Sequence, residues 1–180
     1  MKPGYISEYV TLKEVTYSDT AARKGIDNTP SPEQMKLIEA AAVNVFDKLR
    51  EWVGGPIKIN SVFRGDKLNK AIGGSKTSQH CVGLDPKTSS YGAAFDVDDD
   101  YFQKKFTTKN NNDMFHYIKD KLDFDQLIWE FGSKSNPDWV HFSYRPDGKN
   151  RKQVLIAVKK EGKTVYLPYK GNENLTGSIK

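Results

Sequence analysis

The chain has 180 residues, a net charge of +5, 37% hydrophobic and 28% charged residues, a length and composition that suit one soluble globular domain rather than two. No apolar run approaches the roughly 20 residues that span a bilayer, and the single cysteine, Cys81, excludes an internal disulfide and a cysteine-rich zinc site. The basic charge would suit an anionic partner such as cell-wall polymer, nucleic acid or lipid headgroups, but no basic run exceeds three residues, and scattered lysines on a solvated surface account for it.

The N-terminus, Met1 to Glu8, has no apolar stretch behind its lysine and does not read as a secretory signal. A helix is predicted from Pro32 to Val53. Ser31 is a suitable N-cap with Gln34 as its capping-box partner, and Pro32 fits the first helical position. Met35, Ile38, Ala42, Val45, Leu49 and Trp52 form one apolar stripe at spacings of three and four, and Gly54-Gly55-Pro56 ends it. Ile57 to Phe63 alternates as a strand that leads to Arg64. A second helix follows from Asp66 to Ile72, then a short strand from Ala93 to Val97 and a helix from Asp113 to Lys121. Strands are predicted over Gln126 to Phe131 and Trp139 to Tyr144. A last pair, Val154 to Lys159 and Thr164 to Leu167, turns across Glu161-Gly162-Lys163. Helices first and strands later predict an α+β fold, with helices on one face of a small antiparallel sheet.

Leu84 to Ser90 and the polar run Thr107 to Asn112 read as loops, the second as mobile. The tail from Lys170 has too little apolar content to pack, so a single domain is expected over 1–169 and a flexible tail over 170–180. No internal repeat or linker is visible.

Histidine is scarce, with only His80, His116 and His141. His80 ends the polar stretch Gly73 to His80, where no core needs an imidazole, and His141 sits in an aromatic strand. Alone, each is more often structural than a ligand. Asp96 alters that balance: flanked by Phe95 and Val97, it is expected to be half buried and to need hydrogen bonds or a cation. Two imidazoles and one carboxylate are enough to hold a catalytic Zn²⁺ with the fourth position left to water. The alternative is that Asp96 pairs with a lysine or caps a turn, the solvated or capping role expected of Asp98, Asp99 and Asp100.

The run Ser61-Val62-Phe63-Arg64, then Asn69, Gly73-Gly74, Ser78-Gln79-His80, Gly92-Ala93-Ala94-Phe95-Asp96 and Asp138-Trp139-Val140-His141 resembles the M15 peptidases. That group contains D-alanyl-D-alanine carboxypeptidases and phage L-alanyl-D-glutamate endolysins. The resemblance covers roughly residues 57 to 145, with nothing comparable in the first helix or the C-terminal hairpin. It implies a hedgehog/DD-peptidase-like fold with His80, Asp96 and His141 as zinc ligands. It also implies Asp138 as the general base, Arg64 on the substrate carbonyl or developing oxyanion, and Ser78 as a supporting partner. Glu130, at the end of its strand, is the second choice for the base. The segment Cys81 to Tyr91 separates His80 from Gly92, where the family has one continuous H-x-x-G-x-A-x-D run; a short extra loop costs little entropy to close.

The expected activity is zinc-dependent hydrolysis of an amide bond in the peptide stem of bacterial peptidoglycan, by a monomer without nucleic-acid partner or membrane insertion. Carboxypeptidase and endopeptidase action stay open. The missing signal points to a lytic enzyme made in the cytoplasm, phage-encoded, that reaches the wall after release. A rival reading is a non-catalytic metal-containing wall-binding or structural module of the same fold. Arg64-Gly65-Asp66 and Gly74-Ser75-Lys76-Thr77 are short chance matches, Cys81 reads as a spectator and His116 as structural or exposed.

Overall fold

A computed structural model describes residues 2–100 and 108–172. Its strands are β1 Lys58–Ser61, β2 Ala93–Asp98, β3 Gln126–Glu130, β4 Trp139–Tyr144, β5 Gln153–Lys160 and β6 Lys163–Pro168. They form a six-stranded sheet in the order β1-β2-β4-β3-β5-β6. The expected antiparallel pairing holds for every pair except β3 with β5, which run parallel. The reason is topological. β4 folds back between β2 and β3, so β5, reversing once more, runs along β3 in the same direction.

The helices are α1 Leu12–Thr16, α2 Asp19–Lys24, α3 Pro32–Ala41, α4 Asp47–Val53, α5 Asp66–Ala71 and α6 Asn111–Lys121. α1 and α2 are too short to display an apolar period, and the sequence reading passes over both. They are started by Thr11, which forms a capping box with Glu14, and by the Ser18 side chain. The predicted helix from Pro32 to Val53 has its Ser31–Gln34 capping box and its Gly54 stop, but a π-helical turn, Ala42–Phe46, separates α3 from α4. With that turn in place the buried stripe includes Ala41 and Phe46 beside Ile38, Ala42, Val45 and Leu49.

Strand alternation divides the sheet into two faces. Phe95, Val97, Leu127, Trp129, Val140, Phe142 and Ile156 join the residues of α3, α4 and α6 in one core cluster. Phe95 lies between Phe46 and Phe142, with ring centroids 5.7 and 5.4 Å away. Ala94, Ile128 and Ala157 are buried but stand outside that cluster. They mark the second face, which by the same alternation carries Asp96, Glu130 and His141. Gly92, at φ +99°, lets the chain enter β2 against β4: a Cβ there would stand 2.3 Å from the Tyr144 carbonyl oxygen.

Two loop expectations change. Thr107 lies outside the described residues, but the rest of the run is braced rather than mobile. Asn110 caps α6, and the Asn111 amide, 2% exposed, donates to Asp98 Oδ1 and to the Pro137 and Asp138 carbonyls and accepts from the Asp99 backbone. Asp99 is itself buried rather than solvated. Of the tail, Asn172 bonds to Tyr169 and to Asn112, and residues 173–180 lie outside the described residues. The Leu84 to Ser90 segment is a closed turn. Gly83 N donates to Ser90 O at 3.0 Å, and the buried Arg145 donates to Pro86 O at 2.7 Å and Thr88 O at 3.2 Å.

Phe95 joins the core to the strand that carries Asp96. Phe95→Ala is expected to lower unfolding free energy by about 3–5 kcal/mol, read by urea denaturation; a loss below about 1 kcal/mol would contradict the packing described.

Candidate metal centre

Asp96 and His141 are cross-strand partners on β2 and β4, and paired residues bring their side chains together on one face. The Asp96 Oδ1 to His141 Nδ1 distance is 2.8 Å. His80 reaches them from outside the sheet, on the 3₁₀ turn Gln79–Cys81. Its Nδ1 lies 2.7 Å from the Val62 carbonyl oxygen. That oxygen can only accept, so Nδ1 carries the proton and Nε2 presents its lone pair. Nε2 stands 3.2 Å from Asp96 Oδ2 and 3.3 Å from His141 Nδ1.

One donor atom from each of the three residues lies within 4.8 Å of the others. Tetrahedral ligands held at about 2.0–2.1 Å are roughly 3.3 Å apart, and the separations here cluster about that value. His80 is 1% exposed, and burial lowers its pKa, which keeps the ring neutral. Burial alone would raise Asp96, but His80 and His141 beside it hold its carboxyl well below the usual carboxylate range. An ionised carboxylate and a neutral imidazole are the protonation states that a dication requires.

A network that the sequence did not reveal fixes the His80 turn. Gln79 Nε2 donates to Tyr91 O and to Asp125 Oδ2, at 2.8 and 2.9 Å. Asp125 is 0% exposed and is clamped by Arg151 through Nε at 2.9 Å and Nη2 at 2.6 Å. Nothing in the local sequence distinguishes Asp125 from Asp123 two residues before it. Ser78 sits between two site residues: its Oγ accepts from the His80 backbone at 3.3 Å and from Arg64 Nη2 at 3.4 Å.

Arg64 follows β1 at a corner tied down by Asn28. The Asn28 amide donates to the Thr16 and Phe63 carbonyls, and its oxygen accepts from Gly65 N at 2.9 Å. Arg64 Nε is buried with no partner among the described residues. Arg64 and Asp96 line one cleft of about 330 Å³, together with Tyr17 to Thr20.

The two candidate bases differ in placement. Asp138 is exposed, in the bend just before β4, and its backbone N–H donates to the Glu130 carbonyl at 2.9 Å. Glu130 ends β3 two residues beyond Ile128, the cross-strand partner of His141, so it shares the face of the metal centre. It is 6% exposed, and burial pushes its carboxyl up to about 7; His141 and Arg64 pull against that rise and Asp96 adds to it. The Cys81 thiol is pushed up by burial, which fits a spectator.

Residues 8–143 match the model of the family described as Peptidase M15. The match begins well before the run at Ser61, so the likeness expected from residue 57 onward extends through α1 to α4. No curated protein matches the chain.

The Glu130 shift has a sign that can be measured. Its carboxyl is raised from 4.5 to about 7 in the folded chain, so between those values the folded state holds the extra proton and stability falls as pH rises. Over the whole window the fall amounts to about 3 kcal/mol. In metal-free protein, Glu130→Gln should match the parent below pH 4.5 and be the more stable of the two above about pH 8. Parallel stability curves for parent and variant across that range would show that Glu130 is not buried as a charge.

Proposed function

The chain belongs to the Peptidase M15 family, and from that premise we propose that it is a zinc-dependent peptidase that cleaves an amide bond in the peptide stem of bacterial peptidoglycan. The observation that carries the reading is the convergence of His80, Asp96 and His141 beside a buried carboxyl that titrates near neutrality. The likeness of the Arg64, His80, Asp96 and His141 segments to wall-cleaving carboxypeptidases and endolysins supports the substrate class.

His80 Nε2, an Asp96 oxygen and His141 Nδ1 would hold the ion. Bound there, zinc would polarise the scissile carbonyl and acidify water. The Val62 carbonyl fixes the His80 tautomer that leaves Nε2 free, and such an outer partner orients a ligand ring. We assign the general base to Glu130 rather than Asp138. Glu130 takes the proton from the attacking water and returns it to the departing amine, a task suited to a carboxyl near pH 7. Arg64 supplies fixed positive charge where the carbonyl oxygen turns negative, and its Nη2 donates to Ser78 Oγ at 3.4 Å. Asp138 is left at the rim.

Digestion of purified muropeptides with mass analysis of the products tests the reading. Cleavage should stop on chelation and return with zinc. Glu130→Gln should lose at least about 100-fold in turnover while still binding zinc, and Asp138→Ala should keep most of its activity. The reverse pattern would make Asp138 the base. Zinc binding with no cleavage by the unaltered chain would instead favour a non-catalytic module. The acid limb of the rate profile should fall at or below about pH 7, where Glu130 loses its proton; a nearby bound dication can only lower that value.

A further inference from the structure

The family match ends at residue 143, before the β5–β6 hairpin begins, yet that hairpin extends the same sheet beyond β3. Its register carries one row of residues across four strands: Trp139 on β4, Glu130 on β3, Ala157 on β5 and Tyr166 on β6. Residues so paired project to the same side of a sheet. Ile156, Val158 and Leu167, the alternate positions of the hairpin, pack on the core. Tyr166 therefore shares the open face with Asp96, His141 and Glu130.

Between Tyr166 and Glu130 stands only Ala157, whose side chain is a single buried methyl. Neighbouring strands lie about 4.8 Å apart, which puts the Tyr166 and Glu130 backbones roughly 10 Å from each other. A phenol can extend over a strand whose own residue ends at Cβ. Its environment agrees with that reach. Burial raises the Tyr166 pKa, Glu130 and Asp96 raise it further, and Arg64 lowers it. The hydroxyl thus stays protonated at neutral pH and sits within the field of the site's charges. Tyr166 is nevertheless 52% exposed, open to a ligand on the face.

We propose that Tyr166 is a substrate-binding residue of the metal centre: its phenol O–H donates to a carbonyl or carboxylate oxygen of a stem peptide lying across the open face between His141 and the hairpin. The proposal rests on the peptidase reading and adds a contact from outside the family-matched segment. A residue that only covered Ala157 would contribute its ring and not its hydroxyl.

The test uses the full zinc-loaded chain, with muropeptide cleavage followed at several substrate concentrations. Tyr166→Phe keeps the ring and removes the donor. It should raise KM about five- to tenfold with little change in kcat, the signature of lost binding rather than lost chemistry, and leave the thermal midpoint unchanged. Thr164→Val, two residues away on the same side of β6, should behave as the unaltered chain. Calorimetry with a synthetic stem pentapeptide gives a second reading. Adding Tyr166→Phe to the slow Glu130→Gln chain should weaken binding by a similar factor. Unchanged KM and affinity in Tyr166→Phe would overturn the proposal while cleavage by the unaltered chain keeps the peptidase reading intact. So would a defect seen only in Tyr166→Ala and accompanied by a lower thermal midpoint. If the unaltered chain neither cleaves nor binds any stem peptide, the reading and the proposal fall together.

Discussion

A half-buried carboxylate held between two imidazoles is the constraint on which the site depends. Asp96 gives up most of its water on β2, and that is tolerable because His141 faces it across the strand pair and His80 closes over it. A lone buried charge would cost several kcal/mol; compensated by two rings, it becomes a concentrated negative group with room for a cation. The sheet makes this possible by keeping its two faces distinct. Phe95 and Phe142, one residue from Asp96 and His141, are fixed in the helix-backed core, so the strands cannot slip without turning Asp96 and His141 into the core and the phenyl rings to the other face.

Around that pair, each further group is held by a different kind of restraint. His80 depends on main-chain contacts at Val62 and Arg64 and on the buried Gln79, Asp125 and Arg151 network. Arg64 depends on Asn28, which binds the ends of α1 and β1 together. Glu130 is set by register alone. The N-terminal helices are thus part of the site's frame, which accounts for a family match that starts at residue 8 although none of the three candidate ligands lies before His80.

Much of this was legible from residues alone. The strand bounds of β4 match, and the capping box at Ser31 and the stop at Gly54 are where side-chain chemistry puts them. The three residues expected to meet do meet. What escaped had a physical reason. α1 and α2 are shorter than two turns and carry no period. The π turn changes no residue type, only the angle of the stripe. Asn110 and Asn111 read as a mobile polar run, because composition does not tell an amide that meets solvent from one that satisfies four main-chain and side-chain partners. Spacing to His141 singles out Asp138 and cannot encode the burial of Glu130, which belongs to another strand and reaches the face of His141 through register.

The turn from Leu84 to Ser90 is gripped by Arg145 through the oxygens of Pro86 and Thr88, with the guanidinium stacked 5.1 Å over the Tyr91 ring. A clasp that engages only peptide oxygens is blind to whatever side chains the turn displays. Outward-facing positions that make no bond within the turn, unlike Asp85 and Thr88, can therefore be rewritten while the clasp keeps its shape, which makes the stretch a natural place for related chains to diverge in what they touch without disturbing the imidazole at position 80.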